Sequence, residues 1–513
     1  MTEQRIPIEI QDAAYIEQEL PEYRGNPLIE ALPPILSQAE TIGMLAQNPS
    51  FDVSELSLGR EVRMYCTMRL KDFYQPLGVH LRLEFMLSCA IRQGYLSRNP
   101  LRDDHYEMIS NGFRDLTDKE SGTRTYWAPR YLPESTASGF SIIGVSGIGK
   151  TSAIRKILKH YPQTIRHTRY NGKPLCITQL TYVQLECPFD GSVKGICIKF
   201  FEEIDYILGT DYTQMTSRGR GATVDKLMIW MAQVARNHSI GVLIIDEIQH
   251  LVEGKGNSAA VMLNFFVNLV NTLGIPIILI GTNAAEPILR SEFRQARRGT
   301  GQGDLFWPRM EQDAWWTLFM RALWKFQWVR HPVPLTQGIE NAMYHESQGI
   351  IDIVMKVFML SQITAISDKT ETVDEGTIHR TGALCLQGVQ PMLIALRTND
   401  NEAIARYRDI RPVEVEPIID GMLEAEKAES GKPPSLKDRA VDRLLLLFIG
   451  RTEATEAVKT VLLGNPNIHF ENLVRKAFQM ASGMIVPPMD NTPEKTSNPP
   501  DSLASSTSVN DEF

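Results

Sequence analysis

The residues Gly139–Tyr161, GFSIIGVSGIGKTSAIRKILKHY, set a short apolar run, a glycine loop and a helical pattern in immediate succession, and so dictate strand, loop and helix in that order. Within this stretch, Gly144 to Thr151 read G-V-S-G-I-G-K-T and fit the phosphate-binding pattern G-x-x-x-x-G-K-[ST], with strand and helix on the required sides. Gly144, Gly147 and Gly149 let the backbone turn where a side chain would clash, so N–H groups through Ser146 and Ile148 can point at phosphate oxygens. Lys150 brings charge to the outer phosphates, and Thr151 offers a hydroxyl to Mg²⁺. Ser152 continues a helix whose positive N-terminal end faces the same anion. A nucleoside triphosphate is the expected ligand.

The chain of 513 residues is too long for one ordinary core and suggests about three domains. With 43% hydrophobic and 22% charged residues it has the composition of a soluble globular protein, and no run of about 18 apolar residues is present to span a bilayer. The start MTEQRIPIEIQDAAY lacks the pattern of a secretory signal, so a cytoplasmic protein with no membrane partner is expected. Six cysteines are scattered without a C-x-x-C pair, which points to reduced thiols. A net charge of −8 argues against coating nucleic acid by bulk charge, so any DNA contact has to be local.

Residues 126–330 alternate strand and helix patterns, the sign of an α/β domain with a largely parallel sheet flanked by helices. Val183, Leu185 and Cys187 alternate as a strand, and Val193 to Leu208 recur at helical spacing. A further helix is expected from Thr223, and Gly209 to Gly221 form the loop between the two. Gly241 to His250, GVLIIDEIQH, is an apolar strand ending in two acids about ninety-five residues beyond the phosphate loop. Asp246 is expected to hold Mg²⁺ and Glu247 to polarise an attacking water. After a helix from Ser258 to a stop at Gly274 comes a strand, Pro276 to Ile280, followed by Thr282 and Asn283. Either is a candidate to contact the terminal phosphate, and the sequence does not choose between them.

Arg290, Arg294, Arg297 and Arg298 then cluster on a helical segment, where an arginine can reach a neighbouring subunit's nucleotide or form a solvated face. Trp307, Trp315, Trp316, Trp324 and Trp328 crowd the next stretch, and their spacing favours core packing over base stacking. Residues 331–400 read as a helical lid. Residues 401–485 read as a C-terminal helical region with a polar linker at Glu424 to Lys437 and a buried turn at Leu444 to Ile449. Residues 486–513 form a tail too polar to repay ordering, which is expected to be disordered. The N-terminal extension, residues 1–125, contains Tyr23 to Leu36, readable either as a docking segment or as a strap on its own domain.

Phosphate loop, paired acids, polar strand end, arginine group and lid together describe the AAA+ ATPases. Several stretches resemble, more specifically, the TnsC family of ATP-dependent regulators of bacterial Tns-type transposons, related to TniB and MuB. They include YRGNPLIEALPP at Tyr23, DFYQPLGVHL at Asp72, GVSGIGKT at Gly144, LIIDEIQHL at Leu243, MLNFFVNLVN at Met262, LIGT at Leu279, ARRG at Ala296 and QGIIDIVMKVF at Gln348, spread over residues 20–400. The resemblance implies ATP and Mg²⁺ as ligands, and self-association into a ring or filament on duplex DNA. It also implies partners on two sides: a TnsD or TniQ-type target selector, and the TnsA and TnsB transposase subunits. Hydrolysis would reset the assembly and underlie target immunity. Arg297 or Arg298 would then be the residue that reaches a neighbour's nucleotide.

One departure stands out. AAA+ lids often carry an arginine three residues after a glycine, whereas here Gly349 is followed at that spacing by Asp352, with Lys356 one turn later as a substitute. Local DNA candidates are Lys194 and Lys199, with Arg218, Arg220 and Lys226 around the following loop. Competing functions are a replication initiator or helicase loader, sharing the same core, and a small-molecule P-loop kinase, which the long extensions suit poorly.

Overall fold

The computed structural model describes residues 10–102, 136–214, 223–253, 258–286, 289, 303–398, 400, 435–445, 451–465 and 468–481. The chain divides into two compact units, Met1–Glu416 and Pro417–Phe513. Eight strands are defined among the described residues: β1 (Ile10–Asp12), β2 (Phe140–Gly144), β3 (Thr164–Tyr170), β4 (Lys173–Leu180), β5 (Tyr182–Glu186), β6 (Val242–Asp246), β7 (Ile277–Gly281) and β8 (Asp304–Trp307).

Five of them form one sheet in the order β5-β6-β7-β2-β8, with every pair parallel. Parallel neighbours need long crossovers, and the helices Lys150–Leu158, Val193–Leu208, Val224–Asn237 and Ser258–Leu273 lie in those connections. Strands β2, β6 and β7 are buried at every position, which is why they read as unbroken apolar runs. On one face, Phe200, Leu227, Met231 and Phe266 pack with Val183, Leu243 and Leu279. On the other, Leu83, Leu87, Ile154 and Ile157 pack with Phe140, Ile142 and Ile244. This is the AAA+ P-loop fold, a parallel sheet flanked by helices.

The order puts β7 directly beside the phosphate-loop strand and β6 one strand further out. The pairing of Phe140 with Ile278 therefore sets the end of β7, followed by the candidates Thr282 and Asn283, beside the phosphate-loop strand. Strand β8 closes the other side, an element that the aromatic reading of Trp307 had passed over. Gly144 is required there: a Cβ on it would sit 2.3 Å from the Trp307 carbonyl oxygen.

The segment from Tyr23 folds back as a strap. Tyr23, Leu28, Ile29 and Leu32 are buried in the same cluster as β2, and the Asn26 Nδ2 donates to the Tyr95 carbonyl at 2.8 Å. A second sheet, β1-β3-β4, pairs Ile10–Asp12 with Thr164–Arg166, so the N-terminal residues are built into the first unit. Four helices, Gln337–Ser347, Ile351–Ser367, Glu375–Cys385 and Gln390–Thr398, occupy the stretch expected to be helical from residue 331 to 400. Arg63, fully buried on the helix Arg60–Thr67, reaches Glu371 with both terminal nitrogens, at 2.7 and 2.5 Å. Trp307, Trp316, Trp324 and Trp328 are buried, as core packing requires, while Trp315 is half exposed.

In the second unit, the helices Leu436–Leu445, Arg451–Gly464 and Phe470–Ala481 pack around Ala440, Leu444, Val458 and Leu473. The arginine group Arg290 to Arg298, Arg218 and Arg220, most of the linker from Glu424, the turn beyond Leu445 and the tail lie outside the described residues. Among the described residues, no single helix is long and apolar enough to cross a membrane.

Candidate nucleotide site

The loop between β2 and the helix Lys150–Leu158 holds Gly147 at φ +76° and Gly149 at φ +100°, left-handed conformations that favour glycine. Ile148 between them is fully buried and anchors the loop in the core, leaving its backbone for ligand contact. Ser146 is half-buried and Ser152 exposed at the start of the helix. Lys150 turns back over the loop, its Nζ donating to the carbonyls of Gly144 at 2.8 Å and Val145 at 3.0 Å. It is 8% exposed, so its charge is already partly removed from water at the mouth of the loop.

Thr151 joins the loop to β6. Its hydroxyl donates to Asp246 Oδ2 at 2.7 Å, across ninety-five residues of chain. Asp246 is buried, and burial pushes its carboxyl above the ordinary range against the lowering from the Thr151 hydroxyl and the Glu247 N–H. A site that raises a carboxyl in this way stabilises it best when a cation arrives. The hydroxyl and carboxylate are hard oxygen donors of the type Mg²⁺ takes, so the pair fits that ion.

Glu247 follows in a left-handed conformation, φ +55°, uncommon for a residue with a side chain. Its carboxylate accepts a short hydrogen bond from Gln249 Nε2. Gln249, 5% exposed, uses its other end to accept from the backbone N–H of Thr282 at 3.1 Å. One amide therefore ties the end of β6 to the end of β7. Sequence reasoning missed Gln249: it was visible two residues past the acids, but only the left-handed turn at Glu247 shows that it points back at them.

Thr282 and Asn283 now separate. Thr282 is 4% exposed and its hydroxyl is buried without a hydrogen-bond partner, while Asn283 is exposed at the start of a short 3-10 turn. A buried hydroxyl left unsatisfied costs about 1–3 kcal/mol, which a ligand oxygen would recover.

The helix Ile351–Ser367 also meets the loop. The backbone N–H of Asp352 donates to the Gly147 carbonyl at 3.0 Å, and a Cβ on Gly147 would fall 3.2 Å from the Asp352 Cβ. Lys356 pairs with Asp352 at 2.7 Å, so the cation considered as an arginine substitute is held by its own helix. Beside Thr151, Asp246 and Glu247 opens a cleft of about 580 Å³, to which Glu186, Glu202 and Glu203 add carboxylates and Arg155 and Lys199 add cations. Lys199 is half-buried there and donates to the Glu186 carbonyl at 3.0 Å, whereas Lys194 and Lys226 are exposed.

A family model described as an AAA domain matches residues 134–289. No curated protein matches the chain. Among solved structures, the Aeropyrum pernix ORC1 protein in complex with DNA is similar at 12% identity, over 66% of this chain and 75% of that one, with a TM-score of 0.34. The Aeropyrum pernix ORC2 protein in its ADPNP-ADP complexes is similar at 14% identity, over 75% and 95%, with a TM-score of 0.33. Cdc6p from Pyrobaculum aerophilum is similar at 12% identity, over 64% and 86%, with a TM-score of 0.33.

Proposed function

We propose that this chain is an ATP-hydrolysing switch that assembles on duplex DNA and regulates DNA transposition, linking a target selector to the transposase. The observation that carries the ATPase half is the Thr151–Asp246 bond, which brings the phosphate loop and the paired acids to one point. The transposition half rests on the stretches outside the nucleotide motifs that resemble the TnsC family, such as DFYQPLGVHL and QGIIDIVMKVF.

In this reading the loop N–H groups from Ser146 to Ser152 bind the phosphates, and the Lys150 Nζ exchanges the Gly144 and Val145 carbonyls for phosphate oxygens. Thr151 and Asp246 would hold Mg²⁺, which when bound neutralises charge on the phosphate oxygens. Glu247 accepts a proton from the attacking water, and the Thr282 hydroxyl donates to the terminal phosphate. Gln249 fixes the direction of the Glu247 carboxylate.

The cleft beside Glu247 carries five carboxylates against two cations and is chemically suited to an arginine from a second copy. Arg297 or Arg298 would enter it, so that hydrolysis requires self-association. Exposed Lys194 and Lys226, with Arg218 and Arg220, would contact DNA phosphates. The second unit would face the transposase and the N-terminal region the selector.

The test is duplex-DNA binding by the full chain, measured by fluorescence anisotropy with a non-hydrolysable ATP analogue, with ADP and without nucleotide. Tight, salt-sensitive binding only with the ATP analogue, weakened by joint Lys194→Glu and Lys226→Glu, is expected. Affinity that ignores the nucleotide would sink the reading.

A further inference from the structure

We infer that the lid carries a divalent metal site, separate from the nucleotide site, formed by His345, Glu346 and His379. The Nδ1 of His345 lies 2.9 Å and the Nδ1 of His379 2.8 Å from the same oxygen, Glu346 Oε1. The three donor atoms all fall within 4.8 Å of one another, the one such grouping of histidine, cysteine and carboxylate donors among the described residues. Two imidazole nitrogens and a carboxylate oxygen are the donor set of zinc and similar borderline ions. Tetrahedral coordination at about 2.0–2.1 Å spaces its donors about 3.3 Å apart, so each nitrogen–oxygen separation has to open by about half an ångström to admit the ion.

Three further features show that the carboxylate is built in. Glu346 is 5% exposed, yet its Oε2 rests against Gly382 of the facing helix, where a Cβ would come within 2.2 Å. Only glycine leaves that space. Arg397 then occupies Oε2 from Nη2 at 3.2 Å, and its Nε donates to the His345 carbonyl at 2.9 Å. The guanidinium thereby orients the carboxylate from behind, as outer partners of metal ligands do, and leaves Oε1 directed at the two histidines. The imidazoles themselves are about half exposed and meet edge to face at 5.4 Å, which leaves an entry path and room for water as a fourth ligand.

His345 and Glu346 sit on the helix Gln337–Ser347 and His379 on Glu375–Cys385, so the ion would staple two lid helices. The first of these ends five residues before Asp352, whose N–H touches the phosphate loop. A bound ion would hold these two helices together, with water completing its coordination.

Zn²⁺ binding to the metal-stripped full chain, by equilibrium dialysis with thermal unfolding in parallel, tests it. The comparison is with His345→Ala/His379→Ala, which removes exposed rings and leaves the buried Glu346–Arg397 pair. Wild type should take up one equivalent more than the double variant, and Zn²⁺ should raise its midpoint by several degrees but not that of the variant. Equal uptake by both proteins, or no shift in wild type, overturns the proposal. An extra equivalent that survives His379→Ala alone but fails with Glu346→Gln overturns the three-ligand set.

Discussion

Replacing Gln249 with Ala removes the side-chain bridge from Glu247 to the Thr282 N–H, while the backbone bond from Ile248 to Ile280 stays, and tests whether Glu247 acts only when held. The lost contact to Glu247 is a hydrogen bond to an anionic acceptor, worth about 1.5–3 kcal/mol. If about 2 kcal/mol of that is orientation of the carboxylate in the transition state, kcat for ATP hydrolysis falls about 30-fold. The KM for ATP should stay within about twofold, because Gln249 touches neither the loop nor Lys150. The Thr282 N–H loses its buried acceptor at the same time, costing about 1–3 kcal/mol of stability. Steady-state phosphate release, with nucleotide binding measured separately by a fluorescent analogue, gives both numbers. A variant with unchanged kcat, or one whose whole defect is in KM, would refute the positioning argument.

Arg63→Ala removes both guanidinium bonds from Glu371, leaving it the Arg330 N–H, and should cost about 3 kcal/mol in chemical denaturation, more than loss of an exposed pair such as Arg166–Asp12. Gly144→Ala should lower expression or thermal stability sharply, because its Cβ meets backbone at 2.3 Å and cannot be relieved by a rotamer change. Buried His80 is pushed from 6.5 down to about 4, mainly by desolvation. The unfolded chain therefore binds its proton first as pH falls. The stability is fully present above pH 6.5 and is lost down to pH 4, by about 3 kcal/mol in all. Burial lowers His160, His167 and His238 in the same sense. Denaturation curves at pH 7.5 and pH 5 should show the drop, and His80→Gln should reduce it, the other three histidines keeping their share; a midpoint independent of pH would contradict the assignment.

The central strands of the parallel sheet were legible because β2, β6 and β7 are buried on both faces and so appear as apolar runs, as VLII does in β6. The helices Val193–Leu208 and Val224–Asn237 start where apolar periodicity and the cap at Thr223 place them. Strands β3 and β4 were missed although Asn171-Gly172 marks their hairpin, both residues having positive φ. Their polar alternation, with Arg166, His167 and Arg169, hid the strand signal. Strand β8 is too short, and too aromatic beside Trp307, to stand out by pattern. In the site, Lys150, Thr151 and Asp246 follow from local motifs. The choice of Thr282 over Asn283, and the contact of Asp352 with Gly147, depend on which backbones are brought together over long separations. No local pattern encodes that.

The central claim is that nucleotide at Gly144–Thr151 drives assembly on DNA. Electron microscopy of the full chain with duplex DNA and a non-hydrolysable ATP analogue tests it most directly, with Lys150→Ala alongside. The account predicts DNA-encircling rings or filaments for the wild type and none for the variant. Monomers under every condition, or the same assemblies formed by Lys150→Ala, would contradict it.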